Sequence, residues 1–335
     1  MARIKAFCLL TPVLFCIVFL SCNSCKREEP KHNVIFLGFS QIGAESAWRN
    51  CNTRSVQEAA SQPGIQLVYF NAEQKQENQI KAIRSFIASQ VDVIAFVPIV
   101  SEGWKNVLEE ARDAGIPVLI CDREISLDDE SLYAGYLGTD MVQEGRSAAE
   151  YLVKKFFDPP DEDAVIHINH PIRIVELRGT EGSSPAANRA LGFREVLEDY
   201  PVFEIIYSES GDFLRSMGYE LMCKILDDED IEDMDVLFSH NDSMTLGALD
   251  AMKERGIQPG TDIIIVTIDA EQAAIDALRR GEVNCVVECN PKQGPDIVSL
   301  AFRLARGEGI PRIIYIKEEV FTEWDDLSQL PPRGY

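Results

Sequence analysis

Residues 116–125 read IPVLICDREI, an apolar run that ends in an acid beside a base. It is too short for an ordinary helix and has no polar alternation, the pattern of a strand covered on both faces. Three runs of the same kind precede it: NVIFLGF (33–39), IQLVYF (65–70) and VDVIAFVP (91–98). The segments between them have helical period. Ile80, Ile83 and Ile87 fall at i, i+3 and i+7, and Trp104, Val107, Leu108 and Ala111 at i, i+3, i+4 and i+7. Strands alternating with helices predict a parallel sheet with helices on both faces. The alternation restarts at IRIVEL (172–177) and continues through FEIIYS (203–208), VLFSH (236–240), IIIVTID (263–269) and VNCVVE (283–288). The expected fold class is therefore α/β, with two Rossmann-like doubly wound lobes. Between them GYLGTD (135–140) offers no long linker of Pro, Ser or Gly, so the lobes should be hinged and not tethered.

In open α/β sheets ligands bind beyond the carboxyl ends of the strands. Asp122 and Arg123 close one strand and would stand at the mouth of a cleft between the lobes. Other strand ends deliver the same kinds of group. FSQIGAESAWRN (39–50) enters a helix through Glu45, Ser46, Trp48 and Arg49; RGTEGSSPAANR (178–189) carries Pro185, Asn188 and Arg189; SHND and TIDA end in Asn241, Asp242 and Asp269. Carboxylates, guanidinium groups, an amide and an indole suit a neutral polyol. A sugar hydroxyl donates to a carboxylate and accepts from a guanidinium, and its C–H face matches an indole, here Trp48. Each feature has an ordinary structural alternative: an Asp–Arg pair can be a surface ion pair of small value, and a Trp early in a helix can be core.

The chain of 335 residues has a formal charge of −23, a surface that repels nucleic acid and anionic lipid. Arg3 and Lys5 precede the uncharged, mostly apolar residues 7–20, and LSC follows with Cys22. These are the three parts of a signal peptide. Thr11 and Pro12 interrupt the run, which is shorter than the roughly 18 residues of a spanning helix. A lipoprotein signal over 1–21 is expected, with Cys22 lipidated; Cys25 and plain secretion are the alternatives. Membrane contact would then come only through that lipid. Of the other cysteines, Cys51, Cys121, Cys223, Cys285 and Cys289 have no regular spacing and read as free thiols.

The sequence has no Walker A motif, Gly-x-Gly-x-x-Gly turn, Gly-x-Ser-x-Gly elbow or His-Glu-x-x-His pair. HINH places His167 and His170 three apart, a weak metal signal without a matching carboxylate. The acidic run 227–235 lacks the Gly and terminal Glu of a calcium loop and reads as a solvated turn. A glycosidase would need paired carboxylates, which Asp122 and Asp269 could mimic, but Arg123 beside Asp122 argues against an acid there. The reading is a binding protein without cofactor, metal or catalytic residue.

GFSQIGAESAWR, QKQENQIKAIRSF, SGDFLRSMG and HNDSMTLGAL make the chain resemble the type I periplasmic sugar-binding proteins of ABC importers, and among them the galactofuranose binders. The resemblance spans nearly all of the mature chain. It implies a three-crossing hinge, with an N-terminal lobe of 33–137 plus 291–314, a C-terminal lobe of 138–290 plus 315–335, and residues 22–32 as a linker. It also implies a monosaccharide held by Glu45, Ser46, Trp48, Arg49, Asp122, Arg123, Arg189, Phe213, Asn241 and Asp269, in a monomer of the periplasm that docks on an ABC permease. A sensing protein that docks on a chemoreceptor or sensor kinase would use the same lobes. The chain departs from the pattern in RGTEGSSPAANR before Arg189, in the long loop 157–171 and in Cys289 beside a hinge position.

Overall fold

A computed structural model describes residues 34–160, 169–228 and 234–335. In the first half, the apolar runs form β1 (Ile35–Gln41), β2 (Ile65–Asn71), β3 (Val93–Phe96), β4 (Val118–Asp122) and β5 (Gly135–Gly138). They alternate with α1 (Ala47–Ala59), α2 (Gln76–Ala88) and α3 (Lys105–Asp113). The second half repeats this with β6 (Ile172–Arg178), β7 (Phe203–Ser210), β8 (Val236–Ser239), β9 (Ile264–Asp269) and β10 (Cys285–Glu288). Its helices are α4 (Met141–Phe157), α5 (Ser184–Leu197), α6 (Arg215–Leu226), α7 (Asp242–Glu254) and α8 (Gln272–Arg279), and α9 (Gly294–Ala305) follows β10.

Each half supplies five strands of a six-stranded sheet, the sixth coming from the last part of the chain, and the two sheets have the same order. The first is β11-β5-β4-β3-β1-β2 and the second β12-β10-β9-β8-β6-β7, where β11 is Ile313–Tyr315 and β12 is Val320–Thr322. All pairings are parallel except β10 with β12. The central strands β3, β4, β5, β8 and β10 are buried throughout, as strands between two helical layers must be. The edge strands β2 and β7 are half-exposed. The short strands β11 and β12 were not legible in the sequence. Ile313 and Tyr315 are about half exposed, so three residues at a sheet edge carry no burial pattern.

The helices start where their caps place them. Ser46 accepts from Arg49 N–H ahead of α1, Asp140 from Gln143 N–H ahead of α4, and Asn241 from Met244 N–H ahead of α7. Pro185 sits in the first turn of α5, where its missing N–H is harmless. α4 and α5 cross very closely: a Cβ on Gly145 would lie 2.1 Å from Arg189 O, and one on Gly192 1.9 Å from Val142 O. That contact seats the start of α5, and with it Arg189, against α4.

The chain passes between the sheets three times, after β5, after β10 and between β11 and β12. Cys51, Cys121, Cys285 and Cys289 are buried free thiols and Cys223 is a half-buried one. The signal segment with Cys22 and Cys25, His167 and the middle of the acidic run lie outside the described residues. His170 is exposed, with Nδ1 2.8 Å from Pro171 O and 3.9 Å from Asp235. Among the described residues, no helix is long and apolar enough to cross a membrane.

Candidate functional site

The carboxyl ends of the two sheets face each other across a narrow cleft lined by residues of both. All ten expected site residues line it, from Glu45 to Asp269, together with Met141, Pro185 and Cys289. Eight separate strand ends and helix starts therefore converge on one space.

From the first sheet comes a group of four charged side chains. Arg49 donates from Nε to Glu45 Oε1 at 3.0 Å and meets Asp122 Oδ2 through Nη2 at 2.8 Å. Arg123 donates from Nη1 to Ile99 O at 3.0 Å and comes no nearer than 4.0 Å to Glu45. Adjacency in sequence suggests a pair between Asp122 and Arg123; the structure pairs Asp122 with Arg49. Asp122 ends β4 in the left-handed region, with φ of 60°, and this turn carries Arg123 off to Ile99 O. Burial opposes Arg49's charge, but Asp122 and Glu45 outweigh it and raise its pKa. For Arg123, burial followed by repulsion from Arg49 outweighs the pull of Glu45 and Asp122 and brings its pKa down to about 10.

From the second sheet, Arg189 donates from Nε to Glu144 Oε2 at 2.6 Å and from Nη1 to His240 O at 2.5 Å, with Asp269 at 3.6 Å. Burial pushes the Asp269 carboxyl well up, against the pull of Arg189. Asn241 uses its oxygen to cap α7 and donates Nδ2 to Phe213 O at 3.2 Å. Phe213 has φ of 61°, and its ring lies against Gly179, where a Cβ would come within 1.8 Å of it. Trp48 is 4% exposed and its indole N–H donates to Cys289 O at the hinge, at 2.5 Å.

Four buried polar atoms of the lining residues on the first side, Glu45 Oε2, Arg49 Nη1, Asp122 Oδ2 and Arg123 Nε, have no hydrogen-bond partner in the protein; Asp122 Oδ2 has the ion pair with Arg49, and the other three have no contact of either kind. Unsatisfied buried groups are costly, so an acceptor and two donors in one cavity mark the place of a ligand that both donates and accepts. Three guanidinium groups against Glu45, Asp122 and Asp269 leave little surplus for an anion.

Among the described residues, Glu144, Cys289 and Glu318 bring ligand-type atoms within 4.8 Å of one another. Burial first, then the charge of Glu144, pushes the Glu318 carboxyl up to about 11. Glu144 is already paired with Arg189 at 2.6 Å. Glu144 was missed in the sequence because an acid in the first turn of a helix reads as a partner of the helix dipole. Met141 carried no signal, and Cys289 had been noted only for its place by the hinge.

Two like sheets facing a shared polar cleft define a two-lobed solute-binding protein. The chain belongs to the periplasmic binding protein domain family, which it matches over residues 37–309. It is 42% identical over 305 residues to the galactofuranose-binding protein YtfQ of Escherichia coli strain K12, covering 89% of this chain and 92% of that one. A protein from Mycobacterium smegmatis, solved with β-D-fucofuranose, is 41% identical with a TM-score of 0.84, over 90% of this chain and 95% of that one. The periplasmic component of the arabinose ABC transporter of Shewanella sp. ANA-3, bound to α- and β-L-arabinofuranose, is 40% identical with a TM-score of 0.79, over 86% of this chain and 92% of that one.

Proposed function

We propose that the protein captures a neutral monosaccharide in its furanose form between the two lobes and delivers it, unchanged, to an ABC permease. The observation that carries this reading is the cavity itself, where charge-balanced acids and guanidinium groups leave an acceptor and two donors unpaired. Relatives at about 40% identity bound to furanoses support the ring form. The ten lining residues are its ligand contacts, with Trp48 and Phe213 beside the apolar parts of the sugar. The lobes divide as 33–137 plus 291–314 and 138–290 plus 315–335. The protein works as a monomer outside the cytoplasmic membrane, held by lipid on Cys22.

D-galactose, D-fucose and L-arabinose, which equilibrate with their furanose forms in water, test the reading by thermal shift and calorimetry. At least one should raise the melting temperature, since a ligand at about 100 times its Kd adds roughly 2.7 kcal/mol, and mass spectrometry should recover it unaltered. No shift with any of them, or a new product, rejects the proposal. Cys22→Ser should move the protein from the membrane fraction to the soluble one, because a lipid chain is the attachment assigned here; continued membrane association would refute the anchor.

A further inference from the structure

Two glutamates that do not line the cavity join the lobes across it. Glu124 lies two residues beyond Asp122, past β4, and Glu271 two residues beyond Asp269, past β9. β4 and β9 are both third from the same edge of their sheets. CDRE (121–124) and IDAE (268–271) are thus one corner of the fold used twice, each with a cavity aspartate followed by a glutamate.

Both glutamates reach the opposite lobe at the helix that follows the first strand of its sheet in the chain. Glu271 Oε1 accepts the backbone N–H of Trp48 at 3.0 Å, at the start of α1. Glu124 Oε2 accepts from Asn188 Nδ2 at 2.7 Å, and its backbone N–H donates to Ser184 Oγ at 2.8 Å, both on α5. α1 follows β1 and α5 follows β6, again equivalent places. Beside the Glu124 bridge, Ser101 N–H donates to Gly182 O at 2.8 Å. Gly182 has φ of +75°, and a Cβ there would lie 3.6 Å from Val100, so the two backbones meet directly.

We propose that Glu124 and Glu271 are a twofold-related pair of closure latches, which bond only when the lobes are shut and so set how tightly the cleft holds a ligand that neither of them touches. Groups on opposite lobes come within bonding distance only in the shut arrangement. Their bonds raise the fraction of protein in the binding-competent state, and apparent affinity follows that fraction. Weakening them should speed release while leaving the cavity contacts in place. The inference rests on the reading of the cleft as a capture site.

The test uses the full mature chain, with L-arabinose and D-galactose as probes and the fluorescence of Trp48 as the kinetic signal. Glu124→Ala and Glu271→Ala should each raise Kd about 10-fold, mostly through a faster off-rate. Glu124→Gln and Glu271→Gln, which keep an acceptor oxygen, should stay within about 3-fold of the parent. Asn188→Ala should reproduce Glu124→Ala, and the double variant should be no weaker than either, as for one shared bond. Melting temperatures without sugar should match the parent. Small-angle scattering of the sugar-free protein should give a larger radius of gyration for the Glu124→Ala/Glu271→Ala double variant. Equal Kd and equal radius overturn the proposal, and so does a loss of affinity that tracks a loss of melting temperature. If the parent binds neither sugar, the capture reading fails, and the scattering difference alone decides the latch.

Discussion

Arg123, from the first lobe, and Arg189, from the second, stand with their guanidinium carbons 5.3 and 6.0 Å from the centre of the Phe213 ring. They are equally buried, yet their surroundings differ. Arg189 has a carboxylate at 2.6 Å, a carbonyl at 2.5 Å and Asp269 at 3.6 Å, and its acids raise its pKa against the effect of burial. Arg123 has one carbonyl and a carboxylate at 4.0 Å, keeps Nε unpaired, and has its pKa lowered. The second side of the cleft is fixed by the protein itself. The first side keeps hydrogen-bonding capacity for something else.

The largest effect that this contrast implies belongs to Arg189. Arg189→Ala leaves Glu144, 2% exposed, without its counter-charge, and breaking a buried pair costs about 3–5 kcal/mol. Urea unfolding should show that loss, and calorimetry should show no sugar binding. A variant as stable as the parent would mean that Arg189 is no more a part of the fold than Arg123 is. Arg123→Ala should behave differently: sugar binding weaker by about 10- to 100-fold, with stability within about 1 kcal/mol, because Glu45 retains Arg49. Lost stability with unchanged affinity would invert the comparison.

The smallest effect concerns what lies beneath the second side. Arg194 grips Glu176 at 3.0 and 2.6 Å, Glu176 meets His240 Nε2 at 3.1 Å, and His240 O holds Arg189. Residues 33–137, which supply the first side, contain no histidine. Burial, despite Glu176, lowers the His240 pKa below its ordinary 6.5. The ring holds a proton less readily in the fold than in the unfolded chain. Its contribution is therefore complete above pH about 6.5 and is lost as pH falls, by at most about 1.4 kcal/mol per pH unit. His240→Asn should flatten the decline of unfolding free energy between pH 6.5 and 5. An unaltered slope would place the acid sensitivity elsewhere.

Much of this was legible beforehand. Apolar runs such as VDVIAFVP and IIIVTID can be covered on both faces only in a layered α/β sheet, so strand order along the chain and the place of the cleft followed from pattern. Most of the cavity's polar residues followed as well, because a polar side chain just past a buried strand has few other places to be; Phe213 came only from the family resemblance, and Asp242, named with the strand ends, instead accepts from Thr267 and the Glu271 N–H, outside the lining. Partners were a different matter. Asp122 and Arg123 adjoin in sequence, yet Asp122 bonds Arg49, brought to it by β1 and α1. Glu144 and His240 sit in ordinary helix-start and strand-end positions, and only the close crossing of α4 and α5 aims Arg189 at both.

The sequence by itself determined the kind of fold, the repetition of it and the chemical types gathered at the cleft, since those depend on local period and on which residues end a buried strand. The tertiary structure alone decided which acid faces which base, that Arg123 is left poorly paired while Arg189 is held fast, and that the glutamates of CDRE and IDAE cross to the opposite lobe. Those outcomes depend on distances between segments up to 223 residues apart, and charge interactions at such contacts change over an ångström or two, a scale that no local pattern encodes.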